Sequence, residues 1–141
     1  METVTVADRD EFLAMAEAHF RELNPAFYPQ QDWKLGFFHA AKHRAKWIQH
    51  EGKRVGFIIY GIKPDPIMPR VHGAIHELYI VPEFRRKGLA KQAAIAAIEE
   101  LEKGHPHKIE IEIMDGNDGA LALWQSLGFG KVSDRWVLPR I

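Results

Sequence analysis

Residues 74 to 103 constrain this chain most. Residues 74 to 81 form a run of β-formers closed by Pro82, which cannot donate to a sheet ladder. After a loop that ends at Gly88, the period changes to that of a helix. Leu89, Ala90, Ala93, Ala94, Ala97, Ile98 and Leu101 recur at helical spacing until Gly104 stops them. A strand thus runs through a short basic loop straight into a long helix.

The flanking sequence extends this alternation. Residues 2 to 6 alternate as a short strand would, and Asp8 opens a helix whose Phe12, Leu13, Ala16, Phe20 and Leu23 share a face up to Asn24-Pro25. A second amphipathic run, 33 to 43, groups Trp33, Phe37, Phe38 and Ala41. Residues 45 to 51 and 54 to 63 read as a hairpin across Gly52-Lys53, and Pro64, Pro66 and Pro69 then forbid regular structure. Residues 107 to 114 alternate isoleucine with Lys108, Glu110 and Glu112, which gives a strand with one apolar and one acidic face. A helix over 117 to 127 stops at Gly128, and 129 to 132 with 135 to 138 look like a terminal strand pair. The order β-α-α-β-β-β-α-β-α-β-β predicts an α/β fold of seven strands and four helices.

With 141 residues, one domain spanning 1 to 141 is expected, large enough to bury about two-thirds of its unfolded surface. The chain has no cysteine, which excludes disulfides, thiolate metal sites and a covalent cysteine intermediate. Nineteen Lys and Arg balance nineteen Asp and Glu, so no global field draws it to nucleic acid or an anionic membrane. Neither a signal peptide nor an apolar run of about 18 residues is evident, and the expectation is a soluble cytoplasmic protein.

Any anion site must therefore be local, and the loop into the long helix offers one. A helix N-terminus presents unpaired N–H groups and the positive end of its dipole. Gly88 and Ala90 lack bulk where an anion would approach the backbone, and Arg85, Arg86, Lys87 and Lys91 add charge. Phosphate is the natural guest; the alternative is a capped helix with solvated basic residues. His39 and His43, four apart on one helix, have metal-ligand spacing, but no third ligand is placed by sequence, and no metal is expected.

A second segment sharpens the choice: Asn117-Asp-Gly-Ala-Leu-Ala-Leu-Trp124-Gln-Ser-Leu-Gly128-Phe129. Together, Ile80-Val-Pro-Glu-Phe-Arg-Arg-Lys-Gly-Leu-Ala90 and this segment resemble the pyrophosphate loop and the N-x-x-A-x-x-L-Y-x-x-x-G-F element of the GNAT acyltransferase superfamily. Trp124 stands where that family usually has tyrosine.

The resemblance implies a mixed, mostly antiparallel sheet splayed between strands 4 and 5, with acetyl-CoA as cosubstrate and an amine as acceptor. It implies transfer to a primary amine by direct attack in a ternary complex. Amides from Arg86, Lys87, Gly88, Leu89, Ala90 and Lys91 would cradle the pyrophosphate, with Arg85 adding charge. Leu78, Tyr79 and Ile80 would pair with the pantetheine arm, the Ile80 N–H serving as oxyanion donor. Asn117 and Trp124 are further cofactor contacts. Indole does not ionise in the working range, so Trp124 cannot protonate the leaving thiolate as a tyrosine would, and its expected role is packing. For the general base Glu112 comes first by the resemblance, with Glu77 and His76 as rivals. The other readings are a CoA-binding relative with little activity and an interaction domain whose basic turn holds a phosphorylated partner. The terminal strand pair offers an edge for a homodimer.

Overall fold

The computed structural model describes residues 1–114 and 116–140; Asp115 and Ile141, both inside the expected single-domain span, lie outside the described residues. Among the described residues, four α-helices and four strands follow the order α1 (Arg9–Leu23), α2 (Gln31–Ala41), β1 (Ala45–His50), β2 (Lys53–Pro64), β3 (Val71–Ile80), α3 (Leu89–Glu102), β4 (Ile109–Ile111) and α4 (Asp118–Ser126). The sheet runs β1-β2-β3-β4. Its first three strands are antiparallel and β4 lies parallel to β3, so the sheet is mixed. Glu51 and Gly52 both have positive φ, as a tight two-residue hairpin turn requires, and they join β1 to β2.

β2 is buried without interruption from Val55 to Tyr60 because helices cover both faces of the sheet. On one side α1 and α2 pack Phe12, Ala16, Phe38 and Ala41 against Trp47, Phe57 and Ile59. The other side carries Val55, Ile58, Tyr60, Ile75 and Ile80 against Ala93, Ala94, Ala97 and Leu101 of α3 and Trp124 of α4. Trp47, Phe12, Phe57, Ile58 and Val55 are fully buried. Truncating one of these aromatics to alanine costs about 3–5 kcal/mol. Gly56 is required by close approach, since a Cβ there would lie 2.0 Å from the Tyr79 carbonyl oxygen.

One irregularity in β3 positions everything that follows. Ile59 pairs with Glu77 and Tyr60 with Ile75, so His76 is the extra residue of a bulge. Beyond it Tyr79 packs with α1 and α2, while Leu78 and Ile80 face α3. β4 pairs with β3 only over Gly73–Ile75, and that pairing stops where the bulge begins.

The expected seven strands are therefore four among the described residues. Residues 2 to 6 contribute only an isolated bridge, Thr3 to Lys46, with Val4 N–H on the Ala45 carbonyl. The strand expected over 107 to 114 shrinks to three residues, because the bulge at His76 breaks the ladder that a longer β4 would join. The terminal pair at 129–132 and 135–138 does not form among the described residues. Val132 and Trp136 are 93% and 92% exposed, so no buried face rewards pairing. The edge expected to receive a second copy is accordingly not built there. No described helix is long and apolar enough to cross a membrane.

Candidate functional site

The loop between β3 and α3 departs from ordinary backbone twice in three residues: Arg86 has φ 64° and Gly88 has φ 77°. A non-glycine residue in the left-handed region costs about 1–2 kcal/mol, and such strain collects at functional sites. The amides that follow lack partners within the protein. From Arg86 to Lys91 no backbone N–H meets an acceptor among the described residues, and the first bond of α3 is Gln92 N–H to the Gly88 carbonyl at 3.1 Å. A Cβ built on Gly88 would meet nothing within 4 Å. The loop is thus an open cradle of donors at the head of a 14-residue helix, and it fits a diphosphate.

Next to this cradle lies the free side of β3. Val81 N–H bonds to the Val55 carbonyl on the β2 side. Alternation along the strand then sends the polar backbone groups of Leu78 and Ile80 to the opposite edge, where no strand pairs with them among the described residues. The Ile80 carbonyl is taken: Arg85 Nε donates to it at 2.8 Å.

On the α1 face of the same strand, His19 Nε2 lies 2.8 Å from Glu77 Oε2. The His19 ring sits among Phe20, Tyr79 and Phe57, with centroids 4.9, 5.3 and 5.8 Å away. Burial, reinforced by the Glu22 charge, pushes the Tyr79 phenol above its ordinary value, so it keeps its proton.

The residues expected from the sequence fall into three groups. Arg86, Lys87, Gly88, Leu89, Ala90 and Lys91 form the cradle, and Leu78, Tyr79 and Ile80 lie on the adjoining strand. Glu77 and His76 sit side by side in the bulge region, His76 solvent-facing; partial desolvation, then Arg44 and Lys63, hold its ring below the ordinary 6.5. The third group is engaged elsewhere. Arg85 is not part of the cradle, because its guanidinium folds back on Ile80 and pairs with Glu22 of α1. Glu112 follows β4, is 68% exposed and binds Arg135 Nη1 at 2.9 Å. Asn117 is the N-cap of α4, its Oδ1 accepting from Ala120 N–H at 3.2 Å. Trp124 is 6% exposed and packs edge-on to Phe129.

Two residues of this region, His19 and Glu22, escape the motif reading. His19 carries a signal in hindsight: it occupies the buried stripe of α1, seven residues after Phe12 and three after Ala16. Glu22 lies on an exposed position with nothing to mark it.

Comparison with known proteins agrees with this geometry. The acetyltransferase (GNAT) family model matches residues 8–129, and the chain belongs to that family. It is 27% identical to an uncharacterized N-acetyltransferase of Methanocaldococcus jannaschii over 89% of this chain and 58% of that protein. It is 30% identical to a mycothiol acetyltransferase of Renibacterium salmoninarum, over 89% of this chain and 39% of that protein. The chain thus spans less than two-thirds of the length of these relatives. Among solved structures, the ribosomal-protein-alanine N-acetyltransferase of Brucella melitensis biovar Abortus 2308 superposes with a TM-score of 0.78 at 19% identity, covering 95% of this chain and 94% of that one. The fold is the α/β arrangement of this family.

Proposed function

We propose that this chain, as one domain over residues 1–141, moves an acetyl group from acetyl-CoA to a primary amine by direct attack in a ternary complex. The observation that carries this reading is the run of six acceptor-free amides from Arg86 to Lys91 at the head of α3. Those amides would hold the diphosphate, with Arg86, Lys87 and Lys91 adding charge. The unpaired backbone groups of Leu78 would receive the amides of the pantetheine arm, in a gap that would open between β3 and β4 beyond the pairs that end at Ile75 and Ile111. Thioester chemistry is what acetyl-CoA supplies there. The Ile80 N–H, facing that gap, would stabilise negative charge growing on the carbonyl oxygen.

An alkylammonium must lose a proton before its nitrogen can attack. Glu77 is the base this geometry favours over Glu112 and His76. Its carboxylate is partly dehydrated, with the side chain 29% exposed, and it lies on the strand that would carry the cofactor arm. Glu112 is bound to a permanent cation and lies open to water. Asn117 would keep its amide nitrogen for the cofactor, and Trp124 would pack beneath the arm. Trp124 also favours a second reading, a CoA-binding member of the family with little activity, because an indole cannot protonate a thiolate.

Release of CoA thiol from acetyl-CoA across a panel of primary amines tests the proposal. Turnover is expected, with Glu77→Gln lowering the rate by about 10²- to 10⁴-fold. A silent panel beside calorimetric binding of acetyl-CoA would favour the second reading. A comparable loss in Glu112→Gln alone would return the base to Glu112.

A further inference from the structure

We propose that His19 is a positioning residue for Glu77, the two forming one proton-accepting dyad that faces the amine; this deepens the function proposed above and rests on it. The 2.8 Å contact runs between His19 Nε2 and Glu77 Oε2. An ionised carboxylate only accepts, so the ring N–H donates, which fixes Oε2 and leaves Oε1 its lone pairs. The ring cannot swing away. Its side chain is 11% exposed, and Phe20, Tyr79 and Phe57 hold it on three sides.

The choice of partner matters as much as the distance. Nearby carboxylates are held by cations: Glu110 by Lys63 and Lys108, and Glu22 by Arg85. A full positive charge beside a carboxylate draws down its affinity for a proton, which suits an ion pair and spoils a base. Glu77 is held instead by a group that can donate a hydrogen bond while uncharged. Around the dyad the charged and titratable groups are Glu22 and Arg85 at the end of α1 and in the loop, Tyr79 on β3, and His76 beside Glu77. Arg44, Lys63 and Glu110 lie beyond His76.

The step balances as follows. One ammonium proton passes to Oε1, and the freed nitrogen pair forms the C–N bond to the thioester carbonyl. The C–S bond then breaks, a second nitrogen proton goes to the departing thiolate, and Glu77 returns its proton to water.

The test compares wild type, His19→Ala and His19→Gln by kcat and KM and by calorimetry with acetyl-CoA. His19→Ala is expected to lower kcat about 10- to 100-fold with acetyl-CoA affinity unchanged. His19→Gln, with an amide N–H for the same oxygen, should recover most of the rate. Equal impairment in both variants overturns the proposal. A second measurement needs neither turnover nor a folded His19→Ala. In nitrogen-15 spectra of the imidazoles, wild-type His19 should carry its proton on Nε2, and Glu77→Leu should release that preference. An unchanged His19 signal in Glu77→Leu refutes the dyad, whereas absent turnover in wild type with this signal intact refutes the transferase reading alone.

Discussion

The Arg85 guanidinium reaches both carboxylate oxygens of Glu22 at 2.7 Å, so the last turn of α1 is tied to the loop that opens α3. The same guanidinium holds the Ile80 carbonyl. Arg85 therefore links the wall formed by α1 to the backbone edge proposed to receive the cofactor. Arg85→Ala should raise KM for acetyl-CoA about 3- to 10-fold while kcat changes less, since the groups affected bind rather than react. The hydrogen bond from Arg85 holds the Glu22 carboxyl below its ordinary 4.5. A depressed folded-state value contributes stability above the unfolded value that is lost as pH falls. The melting difference between wild type and Glu22→Gln should therefore be full above pH 4.5 and shrink below it. A pH-independent difference would mean that the pair is not responsible.

Gly88 offers a sharper probe of the cradle. Because a Cβ there meets no protein atom within 4 Å, a side chain at position 88 would project into the space proposed for the diphosphate. The positive φ adds strain of about 1–2 kcal/mol, a cost that Gly88→Ala shares. Calorimetry should find acetyl-CoA binding lost in Gly88→Val and weakened in Gly88→Ala, with both variants less stable and Gly88→Val the more so. Retained binding in Gly88→Val would put the diphosphate elsewhere.

Much of this site was legible in sequence because its logic is local. A β-run closed by Pro82, a glycine at 88 and an alanine-rich helix dictate a strand, a short loop and a helix N-terminus, and the structure builds all three. What could not be read is tertiary. The bulge at His76 arises from the register of β2 against β3, and it decides which face Glu77 takes and where β4 must stop. Glu110 and Glu112 look alike in an alternating strand; only the structure reveals their Lys63 and Arg135 partners. The predicted terminal pair failed for a related reason, since alternation alone does not supply a surface to bury.

Trp124 tests whether the usual acid is needed. The indole is buried against Phe129 in the core under α3 and α4, so Trp124→Ala should cost about 3–5 kcal/mol, read by denaturant unfolding. Trp124→Phe keeps most of the packing and, like the indole, has no ionisable group. Transfer should then stay within about tenfold of wild type across pH. A far larger loss with intact folding would give the indole N–H a direct part in the reaction.

Asp8 provides a stability test remote from the site. Its carboxylate accepts from Thr5 N–H at 2.9 Å, from Trp47 Nε1 at 3.1 Å and from Arg54 Nη1 at 3.0 Å. The backbone bond from Thr5, followed by the indole bond, holds this carboxyl well below the usual carboxylate range. Its contribution should be complete above the ordinary value of 3.8 and fade as pH falls beneath it. Asp8→Ala leaves the buried Trp47 N–H without its acceptor, so a clear drop in Tm is expected near pH 7. That gap should narrow between pH 4 and pH 2, where the carboxyl of the unfolded wild-type chain takes up a proton that the folded one does not. If the gap stays constant over this range, the three hydrogen bonds are not what secures the N-terminal segment to β1 and β2.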